Sequence, residues 1–184
     1  DEETTKLTDY DQPVRGGLFS PSVDWVAYVG NETRWLENTD LYVASVEGSE
    51  PRRLDVGTEG SETALHDWFP DGRRLLVSDN SEDRRRVGVY DLGEDTVEWL
   101  GPHEAEESGV EVGPDGRRAL VTRSRRASTV PVVYDLESGE GRELDVPEGV
   151  ASFHFAGGRA FADESTVVFG HSTASRRKRL LEYD

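Results

Sequence analysis

The 184-residue sequence predicts an all-β protein built from about four copies of one four-stranded unit. One observation is a repeated turn, because FPDGRRLLV at 69–77 returns as GPDGRRALV at 113–121. A second is that, within each copy, the turn is followed at a nearly constant distance by the end of a later strand. A third is composition, since the apolar runs are short, rich in Val, Tyr, Trp and Leu, and separated by Gly, Asp, Asn, Ser and Glu.

Each copy has a turn before a short apolar strand and a second landmark that closes a later strand. The turns stand at Pro21, Pro70, Pro114 and Ala162, and the closing landmarks stand at Ser45, Asp91, Asp135 and Asp184. The separations are 24, 21, 21 and 22 residues, which indicates that insertions fall in one loop. A leucine follows nine residues after each of the first three landmarks, at Leu54, Leu100 and Leu144.

The repeated PDG turn has a physical reason. Pro presets φ at the first central position, and Gly adopts the left-handed conformation that lets a hairpin reverse. Four strands in about 45 residues is the size of one β-propeller blade, a unit that must pack against neighbouring blades to bury its faces. The spacings predict an outer strand at 4–9, blade one at 18–56, blade two at 63–101, blade three at 109–146, and blade four at 150–184 without its outer strand.

Three stretches, DWFPDGRRLLV, VYDLESGEGREL and SEPRRL, resemble the WD40-like (TolB-type) propeller repeats, and the resemblance extends over essentially the whole chain. Blade four departs from the pattern, with FADESTVVF where blade two has FPDGRRLLV. Such propellers occur in TolB proteins and as the non-catalytic domain of prolyl oligopeptidase-family serine peptidases, including the acylaminoacyl and dipeptidyl types. The resemblance is strongest to the peptidase-associated propeller. It implies that the four or so blades of this chain are part of a larger ring of seven or eight blades.

Charge and composition exclude several classes of protein. The chain has 38 acidic and 21 basic residues, a net charge of −17, which disfavours nucleic-acid and anionic-membrane partners. The acidic excess, with only two lysines, predicts a halophilic protein with an acidic surface.

The lack of cysteine excludes disulfides and favours a cytoplasmic location. No apolar run is long enough to span a bilayer. Because methionine is absent, we expect the chain to begin inside a longer gene product.

One stretch imitates a catalytic motif. FGHSTAS at 169–175 resembles the nucleophile elbow G-x-S-x-G, with Gly170, Ser172 and Ala174 at the motif positions. In that order of residues the catalytic Asp and His must follow the serine, and no histidine follows Ser172. We therefore predict a Ser/Gly-rich hairpin loop and no catalytic residue in this chain.

The remaining polar clusters predict neither a cofactor nor a metal site. The four histidines, His66, His103, His154 and His171, lack metal-ligand spacing, and His66 and His154 fall in predicted innermost strands. The acidic runs at 79–83 and 104–107 lack the pattern of a calcium loop and are predicted to be solvated loops. The recurring arginines are predicted to be surface partners of carboxylates; they are Arg52, Arg53, Arg73, Arg74, Arg84, Arg85, Arg86, Arg117, Arg118, Arg125, Arg126, Arg176 and Arg177.

Two functions are consistent with these observations. One is a non-catalytic propeller that restricts the access of peptide substrates to a hydrolase domain. That domain would lie beyond Asp184 in the parent protein. The alternative is a free-standing TolB-like scaffold that binds a protein or peptide. A propeller enzyme such as a lactonase or glycosidase is weaker, because no metal cage or acid pair is recognisable. A second copy of the chain is a further candidate partner, with its residues 4–9 completing blade four.

The acidic surplus makes a prediction about salt. Screening should relieve repulsion among the carboxylates, so the midpoint of thermal unfolding should rise steeply from dilute buffer to molar potassium chloride. Thermal melts at a series of salt concentrations measure this. A flat or falling midpoint would remove the halophilic interpretation.

Overall fold

The computed structural model describes residues 13–31, 33, 37–48, 51–153 and 158–184. Sheet I contains β1 (Arg15–Phe19), β2 (Trp25–Gly30), β3 (Asp40–Ser45) and β4 (Arg52–Leu54). Sheet II contains β5 (Ala64–Trp68), β6 (Arg74–Asp79), β7 (Arg86–Asp91) and β8 (Thr96–Trp99). Sheet III contains β9 (Glu106–Val112), β10 (Arg118–Arg125), β11 (Ser128–Asp135) and β12 (Gly141–Glu143). Sheet IV contains β13 (Val150–Ser152), β14 (Val167–Thr173) and β15 (Arg176–Tyr183).

The all-β prediction is confirmed. Within each sheet the strands pair antiparallel in chain order. Two parallel pairs of described residues link successive sheets, with Thr129 opposite Val150 between sheets III and IV and an isolated bridge between Thr39 and Glu62, just before β3 and β5. The strands β1 and β9 begin at Arg15 and Glu106, earlier than the expected blade boundaries at 18 and 109. Closure of a ring and the number of blades stay predictions. The outer strand expected at 4–9 and His154 lie outside the described residues.

No helix that could span a membrane is found in the part of the chain that the structure describes.

The repeated turn has the geometry that its sequence predicts. Gly72 and Gly116 have φ values of 66° and 70°, and the amide of each donates to the carbonyl three residues earlier. In the first of these turns the Asp71 carboxylate accepts the amides of Arg73 and Arg74. The fourth turn has lost Pro and Gly but keeps this device, because Asp163 accepts the amides two and three residues later at 2.8 Å each. These hydrogen bonds lower the pKa of Asp163 to about 2.

The described residues form four hydrophobic clusters. Three lie between successive sheets, and the fourth, which consists of Val26, Tyr28, Tyr42 and Ala44, lies on the face of sheet I that points away from sheet II. The first joins sheets I and II through Ala27, Leu41, Val43, Leu54, Trp68, Leu75, Val77 and Tyr90. The second joins sheets II and III through Phe69, Leu76, Val87, Leu100, Val112, Ala119, Val121, Val132 and Tyr134. The third joins sheets III and IV through Leu120, Leu144, Ala151, Ala160, Phe161, Val167 and Phe169. Each sheet therefore covers its neighbour, and each of the three repeated leucines is buried against the following sheet.

The first strands of the sheets approach one another closely. The indole N–H of Trp68 donates to the carbonyl of Leu18 at 2.8 Å, which links β5 to β1. Between β5 and β9, the ring of His66 occupies the space beside Gly109. A Cβ atom added to Gly109 would lie only 2.6 Å from Cδ2 of His66. A β-bulge interrupts each of these two strands near this contact, and glycine is the residue that permits such an approach.

The Gly109 contact gives a test of this packing. Gly109→Ala should lower the free energy of unfolding by about 1–3 kcal/mol, because the added methyl group must displace the ring of His66. Gly17→Ala is the matched control in the first strand of sheet I, since its Cβ would meet only Val26 at an ordinary 3.7 Å. Urea unfolding measures both variants. Equal effects at the two positions would contradict this account of the inner strands.

Candidate functional site

A cleft of about 930 Å³ lies at one end of sheet III. Its walls are the β10–β11 hairpin, the loop that follows β8, and the segment that links β12 to β13. Arg84, from the loop between β6 and β7, completes one side. Loops of three sheets thus form one concave surface, which is a usual location for a binding site.

The floor of the cleft is a network of charged side chains on neighbouring strands. Arg123 lies opposite Glu107 in the register of β10 and β9, and it donates from Nε to Oε1 of Glu107 at 2.7 Å. Its Nη1 donates to Glu143 on β12 at 2.7 Å, and its Nη2 donates to the Tyr134 hydroxyl at 3.1 Å. Tyr134 in turn donates to Glu107 at 3.0 Å. Arg125 adds a second cation to Glu143 at 2.7 Å.

The titration of these groups follows from the contacts. Burial would lower the pKa of Arg123, but the hydrogen bonds to Glu107 and Glu143 outweigh it and the net effect raises the pKa. Burial and the charge of Glu107 raise the pKa of Tyr134 to about 12. Arg123 is therefore permanently charged and Tyr134 neutral over the physiological range.

The rim of the cleft is polar and mixed in charge. Its basic members are Arg84 and Arg126, and its acidic members include Glu104, Glu106, Asp145 and Glu148. The hydroxyls of Ser124, Ser128 and Thr129 also line it. Such a surface can hold an extended polar or charged segment by ion pairs and hydrogen bonds. The ring of His103 forms a hydrogen bond within the protein, since its Nε2 lies 2.8 Å from the carbonyl oxygen of Arg84.

A second charged network lies on the inner strands, with Arg159 at its centre. Arg159 donates to Glu111 at 3.0 Å and to the carbonyl of Val112 at 2.7 Å, and its guanidinium is 3.4 Å from Asp67. Glu111 also accepts the amide of Ala160 at 2.7 Å. Burial raises the pKa of Asp67 although Val112 and Arg159 both act against it. The network ties sheets II, III and IV together, so its role is structural.

The elbow-like stretch is not an elbow. Gly170 and Ser172 lie inside β14, an antiparallel strand whose register against β15 shifts between His171 and Thr173, and the turn contains only Ala174 and Ser175. The expectation of a hairpin loop over 169–175 was therefore wrong in extent. A nucleophile elbow needs a sharp turn between a strand and a helix, and the backbone here continues straight into a β-hairpin.

His66 and His171 serve packing. His171 is buried, with Nε2 at 3.0 Å from the Pro147 carbonyl. The ring of His66 is 2.8 Å from the hydroxyl of Ser78, which is the arrangement of a nucleophile and its base. Ser78 is wholly buried, however, so no substrate can reach it. Burial also lowers the pKa of His66 to about 4, with Arg85 adding to the effect, which makes it a weak base.

Each acidic run contains one buried carboxylate, which corrects the prediction of solvated loops. In the run 79–83, Asp79 is fully buried and accepts hydrogen bonds from Ser61 at 2.8 Å and Thr63 at 2.9 Å. In the run 104–107, Glu107 is the buried partner of Arg123. Their neighbours in sequence are mostly exposed. Strand β6 ends in the first run and strand β9 begins in the second, and each strand turns one carboxylate inward. Composition alone does not reveal which one.

Most of the paired arginines contact acidic side chains, as expected. The ion pairs are Arg52 with Asp95, Arg53 with Asp40, Arg73 with Asp91, Arg74 with Asp71, Arg85 with Glu62, Arg86 with Glu82 and Arg125 with Glu143. Arg123 and Arg159, which organise the two networks, were not among the arginines predicted from the sequence. Arg123 belongs to an alternating polar strand, TRSRR, and that alternation is the signal that could have identified it. Arg159 has no such signal.

Within the ranges that the structure describes, no group of three or more His, Asp or Glu side chains is placed to hold a metal ion.

Solved structures of several kinds share this fold. The chain matches, over 98% of its length, 29% of a puromycin-hydrolysing peptidase from Mycobacterium tuberculosis, with a TM-score of 0.74 and 20% identity. It matches 41% of TolB from Acinetobacter baumannii over 94% of its length, with a TM-score of 0.69 and 18% identity. An oligogalacturonate lyase in complex with manganese is matched over 98% of this chain and 50% of that one, with a TM-score of 0.68 and 18% identity.

These neighbours include TolB-type propellers and the propeller domains of prolyl oligopeptidase-type peptidases. At such identities they show the fold alone. The chain spans half or less of the length of each of the three proteins. No protein-family profile and no curated protein matches the sequence.

The network on the floor of the cleft can be tested by removing its central cation. Arg123→Met should lower the free energy of unfolding by about 3–5 kcal/mol at neutral pH, because it leaves Glu107 buried without its partner. The deficit should shrink as the pH falls, since the native variant can then bind a proton on the stranded carboxylate. Arg125→Met is the matched control and should cost less than about 1 kcal/mol, because Arg125 is exposed. Equal losses for the two variants, or a deficit independent of pH, would contradict the assignment.

Proposed function

We propose that this chain is the non-catalytic propeller domain of a serine peptidase, and that it restricts which peptides reach a hydrolase domain lying outside residues 1–184. The observation that carries the proposal is that nearly the whole chain matches a minor fraction of a peptidase. The rest of such a parent protein would supply the nucleophile, base and acid. In this arrangement the propeller selects substrates by steric exclusion and breaks no bond itself.

The chemistry of the chain is consistent with a role in selection. The Ser78–His66 pair is inaccessible to substrate, and Ser172 lies within strand β14 rather than at a nucleophile elbow. The cleft on sheet III offers fixed charges and hydroxyls, which suits transient contact with a polypeptide rather than catalysis. Peptide substrates and the hydrolase domain are thus the proposed partners. The lack of cysteine supports placing the protein in the cytoplasm.

The alternative function is a free-standing TolB-like scaffold that binds a protein or peptide. The TM-score with TolB, 0.69, is close to the value of 0.74 with the peptidase, and this supports the alternative. The cleft would then be the binding site in its own right. The resemblance to a lyase does not carry a third proposal, because the described residues bring together no metal-binding cluster.

The coding sequence beyond Asp184 distinguishes the two functions. A G-x-S-x-G motif followed by Asp and His residues is expected for the peptidase. A stop codon without such a region would favour the scaffold. In a protein that contains the region, disruption of the propeller should accelerate cleavage of long polypeptides and leave short chromogenic peptides unaffected.

The proposal predicts that the 184-residue chain alone hydrolyses no peptide bond. Aminoacyl and peptidyl chromogenic substrates provide the assay, with Ser172→Ala and Ser78→Ala as the variants that remove the two candidate hydroxyls. No turnover above the buffer rate is expected for any of the three proteins. The prediction would be overturned if the unsubstituted 184-residue chain showed turnover and either variant abolished it.

A further inference from the structure

The charges that line the cleft on sheet III divide into a locked set and a free set. The locked set consists of Glu107, Arg123, Arg125 and Glu143, which bind one another on the floor. The free set forms no ion pair with any residue in the described ranges; its members are Arg84, Glu104, Glu106, Arg126, Asp145 and Glu148. Carboxylates outnumber guanidinium groups in the free set, so the open part of the cleft is acidic.

The free carboxylates lie on two different walls of the cleft. Glu104 lies in the loop that follows β8 and Glu106 begins β9, whereas Asp145 and Glu148 lie in the segment that links β12 to β13. The two walls also contain apolar residues, which are Pro102, Ala105, Val146 and Pro147. A lysine or arginine side chain needs both kinds of surface, an apolar one for its methylene stem and a carboxylate for its charged end.

The chain itself shows how one wall receives a guanidinium group. Arg84 comes from the loop between β6 and β7, and its Nη1 donates to the backbone carbonyl of Glu104 at 3.1 Å. The carboxylate of Glu104 takes no part in this contact. Backbone carbonyls of the wall therefore add to its carboxylates as acceptors for the N–H groups of a cationic side chain.

Hydrogen bonds hold both walls in position without a ligand. On the first wall, Nε2 of His103 lies 2.8 Å from the carbonyl oxygen of Arg84. On the second wall, the carbonyl of Gly149 accepts the amide of Thr129 at 2.9 Å. Walls that are already in place lose little conformational entropy when a ligand binds between them.

We propose that the cleft on sheet III binds basic segments of polypeptide, and that the free carboxylates of its two walls hold the Lys or Arg side chains of such a segment. The proposal rests on the proposed function, because it names the class of peptide that a selecting propeller retains.

The charge of the whole protein acts in the same direction as the cleft. With a net charge of −17, the field of the protein draws cationic peptides toward its surface and repels anionic ones. The arginines on the floor do not reverse this preference, because Arg123 and Arg125 already have carboxylate partners. A basic peptide is thus favoured both at long range and within the cleft.

The experiment measures the binding of fluorescent peptides to the 184-residue chain by anisotropy, at the lowest salt concentration at which the chain is folded. The peptides alternate Gly with Lys, Gly with Ser or Gly with Glu. The Lys peptide should bind at least about tenfold more tightly than the other two. An acidic protein attracts the Lys peptide over its whole surface, so this preference alone does not locate the site.

A triple variant locates the site. Glu104→Gln, Asp145→Asn and Glu148→Gln together remove three carboxylates from the two walls. The variant should bind the Lys peptide about tenfold more weakly, because each substitution removes one ion pair with the ligand. All three side chains are exposed, so the variant should fold like the parent chain.

A matched control removes the same charge elsewhere. Glu94→Gln, Glu137→Gln and Glu140→Gln change exposed residues in the turns between β7 and β8 and between β11 and β12, away from the cleft. This control should weaken binding of the Lys peptide less than about twofold. Hydrogen–deuterium exchange gives an independent location, since the bound Lys peptide should slow exchange of the amides at 101–106 and 144–149.

Three results would each overturn the proposal. They are equal weakening by the two triple variants, which would mean that net charge alone holds the peptide, tighter binding of the Glu peptide, and no binding of the Lys peptide. None of these results bears on whether the parent protein is a peptidase, because the coding sequence beyond Asp184 decides that separately.

Discussion

A small twisted sheet with two apolar faces cannot bury either of them alone, and the rest of this structure follows from that constraint. Each of the three contacts between successive sheets buries aliphatic and aromatic side chains from both partners. The residues that recur along the chain, the turn and the outer-strand leucine, are those that form a sheet and seal its outer strand against the next one. The sequence therefore repeats because the same packing between sheets repeats.

The same constraint explains where charge is tolerated inside an acidic protein. Arg123 and Arg159 lie where strands or loops of several sheets converge, and each neutralises carboxylates that packing has removed from water. Breaking such a pair is costly because one charge stays buried. The paired arginines on the surface face solvent and contribute little individually. Position, and not residue type, separates the two groups.

The proposed role in selection agrees with this distribution. A propeller that admits or excludes polypeptides needs a rigid frame and polar loops, and both are present. The charged floor of the cleft is locked by hydrogen bonds within sheet III, while the loops that form its walls come from different sheets. Specificity could therefore change by substitution in the loops without disturbing the cores.

The sequence by itself determined the strand content, the turn chemistry and the repeat. Local rules govern these features: Pro, Asp and Gly specify the turn at Gly72 and Gly116, and alternating apolar residues specify the strands. Only the tertiary structure decided which polar residues are buried. Asp79 and Glu107 were hidden in runs of exposed acids, Arg159 carried no pattern, and FGHST proved to be a strand rather than a loop. The physical reason is that the burial of a polar side chain depends on the strands and loops that fold against it, and the partners that these supply lie at least 16 residues away in the sequence.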